Sequence, residues 1–540
     1  MASAESKSAQ EGLAVEDLLD SESTAVPQRK APAPLAGGCL ALGTVALSLA
    51  TFMNVLDTSI ANVSLPAIAG NLGVAPNQAT WVITSFAVAN AISIPLTGWL
   101  TLRFGAVRLF VTSILLFVFA SLLCGLAPSI EMLILFRVIQ GAVAGPMIPL
   151  SQSLLLSSYP QHKSGTALAM WSLTTLVAPI MGPLLGGYIT DNFSWPWIFY
   201  INIPVGIGAA WVTWAIYHRR ETPKRKLPVD KVGLALLVVW VGTLQIALDK
   251  GKELDWFESP LILGLTATAL VSFVVFLIWE LTEDHPVVDL KLFARRNFTV
   301  GVIGLALGYG VFFGNVVLLP LWLQQYMGYT ATWAGLVTAP VGLLALLFSP
   351  WVGKNVNKYD PRLLTTVAFL VFAVVFWMRS RFTPQSDVET LLIPTLLQGV
   401  SMAFFFIPLV SMTLSGMDHH QIPAASGLSN FMRITAGAFG TSISTTVWDN
   451  RASLHHAQLI EHITPFSPES TQVLDQLQQS GLTAGQATAQ LNQMINQQAF
   501  MRSADDIFYV SAMICVLLVG IVWLARPVRS AQPVDAGGAH

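Results

Sequence analysis

Apolar runs long enough to cross a bilayer, roughly 17 to 25 residues each, recur from about residue 40 to residue 526 and leave no contiguous stretch for a large soluble domain. Only 11% of the 540 residues are charged and 54% are hydrophobic, against about 25% charged in soluble domains, so the chain requires lipid as its solvent. The expected fold class is an all-α membrane protein. Its candidate spans are 40–62, 79–101, 107–126, 131–156, 165–189 and 197–217, then 231–249 and 260–280, and finally 298–322, 331–352, 362–378, 389–415, 423–448 and 506–525. The pattern is six, two, six, or 14 in total.

Lys and Arg mark the cytoplasmic side of membrane proteins. With both ends inside, 20 of these residues fall in inner segments and 6 in outer loops (Lys250, Lys252, Arg379, Arg381, Arg451, Arg502), while Arg137 and Arg433 fall within spans. The basic loop from Arg219 to Lys231 is the strongest single marker. The expected organisation is a disordered cytoplasmic tail over 1–38, which lacks the pattern of a cleaved signal peptide, a six-helix bundle over 39–218 and a linking pair of helices over 219–290. A second six-helix bundle follows over 291–526, with a cytoplasmic tail over 527–540. The formal net charge of −2 and the scattered basic residues give no sign of nucleic-acid binding. Cys39, Cys124 and Cys515 lack metal or disulfide spacing and are expected to pack as apolar residues.

The two blocks of six carry matching fragments. Ala79-Thr80-Trp81 and Ala331-Thr332-Trp333 open the second spans; Gln140-Gly141 with Ile148-Pro149-Leu150, and Gln398-Gly399 with Ile407-Pro408-Leu409, lie in the fourth; Ser164-Gly165 and Ser426-Gly427 begin the fifth. The offsets drift slowly, as loop insertions would cause, and a parallel duplication accounts for them. Duplicated halves of this kind place their sites at the bilayer midplane. Residues 449–505 form a long, polar, Gln-rich outer connection in which Val473, Leu474 and Leu477, then Leu491, Met494 and Ile495, have helical spacing. Two small capping helices or a docking surface would both fit.

Charges in the bilayer interior are costly and are functional candidates by default. Asp57 shares a helical face with Asn54, Thr58 and Ala61. Burial disfavours the charged form of an acid, so Asp57 is a candidate proton carrier, or else a structural carboxylate bonded to a neighbouring helix. Arg137 shares a face with Gln140, Gly141, Ala144 and Gly145; since arginine keeps its proton, it can bias a nearby carboxylate, hold a gate or brace two helices. Arg433, beside Asn430, invites the same readings, with anion or substrate contact added. Span five carries Gly182, Pro183, Gly186 and Gly187 in the block GPLLGG, expected to give a bent, closely packed helix with no counterpart in span thirteen.

These residues, with LDTSIANVSLP at 56–66, RVIQG at 137–141 and WPWIFYINIPVG at 195–206, resemble the fourteen-helix drug:proton antiporters of the major facilitator superfamily, most closely the EmrB-type multidrug exporters. The resemblance covers about residues 40–526. It implies the major facilitator fold, with two six-helix bundles plus two extra helices. It also implies that Gly182, Pro183, Gly186 and Gly187 form an antiporter motif and that Asp57 and Arg137 take part in proton coupling. The family's gating loop matches at Gly98, Arg103 and Gly105, but Leu102 stands where the family usually has an acid. The resemblance further implies hydrophobic drugs and protons as partners, a periplasmic adaptor and an outer-membrane channel, and a place in a bacterial inner membrane with docking through 449–505.

On this reading the two blocks rock about a central cavity, lined by the polar candidates Asn54, Gln152, Asn315, Gln398, Asn430 and Arg433. A proton-coupled permease or symporter for one small solute would share the fold, but the spans are lined mostly by Phe, Trp, Met and Leu, which suits adaptable apolar recognition. No P-loop, HExxH or Cys-x-x-Cys appears, so no enzyme activity, metal or cofactor is expected.

Overall fold

Lipid offers no partner to a bare N–H or C=O, so segments inside it must bond internally, and the computed structural model meets this with helices. It describes residues 34–527 apart from 75, 225–227, 229, 285, 330, 419–420, 462 and 464–467. Both terminal tails of the sequence reading therefore fall largely outside the described residues. No strand occurs among the described residues.

The first half comprises α1 (Gly37–Leu72), α2 (Trp81–Ser93), α3 (Thr97–Phe104), α4 (Ala106–Gly125), α5 (Ile130–Ala144), α6 (Met147–Ser158), α7 (Ser164–Asn192) and α8 (Asn202–Tyr217). Two linking helices follow, α9 (Lys231–Lys250) and α10 (Pro260–Thr282). The second half comprises α11 (Arg296–Gln325), α12 (Ala331–Thr338), α13 (Pro340–Asn355), α14 (Pro361–Arg379), α15 (Val388–Thr413), α16 (Ile422–Glu461), α17 (Pro468–Gln479) and α18 (Ala484–Val522). Among the described residues, 11 helical segments are long and apolar enough to cross a membrane, or 12 when the bent pair α2–α3 is one span. The expected spans 165–189 and 423–448 fall on the further helices α7, of 29 residues, and α16, of 40 residues.

Two expectations change. Span two is broken: α2 and α3 meet at 62° around Pro95, because proline has no N–H for the ladder and its ring collides with the preceding turn. The outer connection 449–505 is mostly a continuation of its flanking helices rather than a loop with two small helices. Helix α16 runs on to Glu461, α18 begins at Ala484, and among the described residues between them the one helix is α17. No Gly or Pro lies between Trp448 and Glu461 to stop the first extension. A capping box at Thr483 and Gln486 starts the second.

Apolar side chains face outward as well as inward, as lipid permits: Leu115, Leu116 and Phe119 on α4 and Leu270 and Val271 on α10 are exposed. The inner faces instead bring small residues together. Added β-carbons at Gly182 and Gly186 of α7 would strike Ser59 and Ile60 of α1. In the second half α11 and α16 also approach closely, though without a GPLLGG block on the fifth span. There the small residues lie mainly on the other helix, with Gly310 and Gly314 of α11 against Gly440 of α16. At the end where α1 begins and α18 finishes the halves touch: a β-carbon at Gly98 of α3 would lie 2.7 Å from Ala424 Cβ of α16. Gly165 of α7 meets Gly353 of α13 in the same way. Asn357 donates to His162 O at 3.1 Å and to Ser164 Oγ at 3.2 Å, completing the seal.

Helix α9 and the turn after it lean on both halves. Asp249 of α9 accepts a hydrogen bond from Thr84 of α2, while Ser442 of α16 donates to Leu248 O at 2.7 Å and Trp256 donates to Thr446 of α16 at 2.9 Å.

Candidate functional site

Asp57, Arg137, Gln140 and Asn202 form a dry polar knot inside the first half, each at most 2% exposed. Helix α1 supplies Asp57, α5 supplies Arg137 and Gln140 one turn apart, and α8 supplies Asn202 at its first turn. Arg137 Nη1 lies 2.5 Å from Asp57 Oδ2. The other carboxylate oxygen accepts from Gln140 Nε2 at 3.2 Å and from Asn202 Nδ2 at 3.0 Å. Arg137 also donates to Val82 O at 3.0 Å and to Gln140 Oε1 at 2.7 Å, and its guanidinium carbon sits 4.2 Å from the Phe86 ring centroid. Ser121 of α4 accepts from Gln140 Nε2 at 2.8 Å. The sequence had singled out the acid and the arginine but not Asn202, whose amide lies close to a loop and carries no charge to draw attention.

A second cluster spans the two halves. Asn430 of α16 donates to Gln152 Oε1 of α6 at 3.1 Å, and Arg433 donates to Asn430 Oδ1 at 2.8 Å. Arg433 lies among aromatic faces, with its guanidinium carbon 4.6 Å from the Tyr309 ring centroid, 5.5 Å from Phe406 and 6.0 Å from Trp171 of the first half. Three of the six polar candidates therefore meet. The other three are held inside their own halves: Asn54 donates to Ala144 O at 3.1 Å, Asn315 donates to Ser511 Oγ at 2.8 Å, and Gln398 accepts from Arg379 at 2.7 Å. Arg379 itself, read from the sequence as an outer-loop residue, is instead fully buried in the last turn of α14. Lys250, assigned to the same outer set, is 7% exposed and donates to Thr80 Oγ1 and Glu253 Oε2.

In the loop between spans two and three, Gly105 adopts a φ of 90°, a conformation that favours glycine. Arg103 lies over the rings of Trp99 and Phe104. Where Leu102 removes the expected acid, a carboxylate arrives from another segment. Glu221, beyond α8, accepts from the N–H groups of Val107 and Arg108 at 3.0 and 2.9 Å and so caps α4. Of the span-five block, Gly182 and Gly186 contact α1, Gly187 has open space beside it, and the side chain of Pro183 lies outside the described residues.

Two repeated helical halves, sealed together at one end and enclosing a buried ion pair, define a membrane transporter. The Major Facilitator Superfamily profile matches residues 47–441, and the chain belongs to that superfamily, within its EmrB-type multidrug exporter branch. It is 52% identical over 508 residues, 94% of this chain and 99% of the relative, to the multidrug export protein EmrB of Escherichia coli K12. It is 50% identical over 505 residues, 94% of this chain and 99% of the relative, to the fatty acid resistance protein FarB of Neisseria gonorrhoeae. Among solved structures, the human organic anion transporter MFSD10 (TETRAN) matches with a TM-score of 0.57 at 12% identity, covering 89% of this chain and 98% of that one, a likeness of fold alone.

Proposed function

We propose that this protein exports hydrophobic, drug-like molecules in exchange for protons, through alternating access of its two halves in a bacterial inner membrane, with both termini cytoplasmic. The observation that carries the reading is the enclosed Asp57–Arg137 pair. Separating two such charges in a dry interior costs about 3–5 kcal/mol, and Arg137 cannot release its proton. The low-cost way to open the pair is to protonate Asp57 while Arg137 rests on Val82 O, Gln140 Oε1 and the Phe86 ring, all already in contact. Proton uptake is thereby tied to relative movement of α1 and α5. The span-five glycines Gly182 and Gly186, with Pro183 and Gly187, let α7 follow α1. Gly98, Arg103 and Gly105 act at the closing end.

Substrate contact is assigned to Gln152, Asn430 and Arg433 with the rings of Trp171, Tyr309 and Phe406. Aromatic faces accept varied apolar shapes, and a few polar groups orient them. The names of the relatives, a multidrug export protein and a fatty acid resistance protein, support apolar and amphiphilic cargo. In cells stripped of other exporters, wild-type protein should raise resistance to hydrophobic drugs, and Asp57→Asn at equal membrane level should not. Full resistance in that variant overturns the role of Asp57.

The extension formed by α16, α17 and α18 is the assigned docking surface for a periplasmic adaptor that hands cargo to an outer-membrane channel. Removing residues 468–483 should abolish adaptor co-purification while leaving Phe500 stacked on Tyr326. Retained co-purification would move the contact elsewhere.

A further inference from the structure

The polar knot of the first half has a counterpart in the second, and the two differ in charge. Asp57 and Asn315, Ser121 and Arg379, Arg137 and Thr395, and Gln140 and Gln398 are each 258 residues apart, on corresponding helices of the duplicated halves. The contacts correspond as well. Asp57 meets Asn202 of the sixth span, and Asn315 meets Ser511 of the last one. Arg137 meets Gln140 at 2.7 Å, and Arg379 meets Gln398 at 2.7 Å. The arginine has changed helix, from the fourth span of the first half to the third span of the second. The carboxylate has been replaced by an amide.

The second half is left with a fully buried guanidinium that forms no ion pair among the described residues. Arg379 Nη2 donates to Gln398 Oε1 and, at 3.4 Å, to Thr395 Oγ1. Arg379 Nε and Gln398 Nε2 are buried donors without hydrogen-bond partners. Because Gln398 Oε1 is held by the arginine, its amide nitrogen is fixed as a donor beside the same charge. An arginine cannot shed its proton to escape burial, and an isolated charge in an apolar interior costs several kcal/mol.

We propose that Arg379 and Gln398 bind a chloride-sized monovalent anion within the second half, supplying the negative charge that Asp57 supplies in the first. The side chains lie between α14 and α15 inside the bundle, a setting that favours a small ion over the head of an amphiphile. This inference is independent of the proposed transport function.

The test is thermal unfolding of the purified protein in detergent, titrating potassium chloride against potassium gluconate at constant ionic strength. The wild type should gain a saturable rise in Tm, on the order of 1–2 °C. Arg379→Gln should lose the dependence by removing the charge. Gln398→Glu should lose it by placing a carboxylate on the guanidinium, and it carries the test alone should Arg379→Gln fail to fold. An unresponsive wild type, or a chloride response kept in Gln398→Glu, overturns the site.

Discussion

Arg137 is held by one carboxylate, one main-chain carbonyl, one amide oxygen and the rings of Phe86 and Phe199, so deleting it strands a buried charge. Arg137→Leu should lower stability by about 3–5 kcal/mol, whereas pairing it with Asp57→Leu should recover part of that loss, because no charge is then left unpaired and only the neutral amides of Gln140 and Asn202 lose a partner. Unfolding of the single and double variants checks this, and equal losses in both would contradict it. Asp57 and Arg137 were legible in the sequence because charges inside bilayer-length apolar runs are rare and conspicuous. Arg379 was not. It closes its apolar run immediately before Ser380 and Arg381, and sequence alone does not separate an arginine that reaches out to water from one folded inward. The six polar candidates, read from the sequence as lining a central cavity, are all buried. Their division into one cross-half cluster and three contacts within the halves depends on helix rotation, which spacing leaves open.

At the level of helices, most spans were evident because lipid demands a long apolar run for each crossing. What escaped were interruptions and extensions. Pro95 bends span two, and α16 and α18 run well past the apolar segment because a helix needs no lipid to keep its hydrogen bonds. Paired glycines decide how closely the helices of opposite halves approach. A side chain at Gly353 would meet Gly165 O at 2.6 Å and Ala169 Cβ at 2.7 Å, so Gly353→Leu should hold the two halves apart at this end. In a background with the exposed Cys39 replaced by serine, a cysteine at Val356, buried against Gly165, should react much faster with a water-soluble maleimide once Gly353→Leu is present. An unchanged rate would show that the glycine contact does not set closure.

For the molecule as a whole, duplication explains the pairing of α3 with α16 and of α7 with α13 across the sealed end, since each joins the second span of one half to the fifth of the other. Helix α9 and the turn after it, in the linking pair that the sequence left without a role, join α2 of the first half to α16 of the second through Asp249, Leu248 and Trp256. Rocking of the halves must carry or break those bonds. The proposed exchange makes movement of the halves and protonation of Asp57 one event. The most direct test is proton release in proteoliposomes driven by an imposed gradient of a hydrophobic drug, comparing wild type with Asp57→Asn. Drug-dependent proton flux is expected in the wild type and none in the variant. Equal flux in both would contradict it.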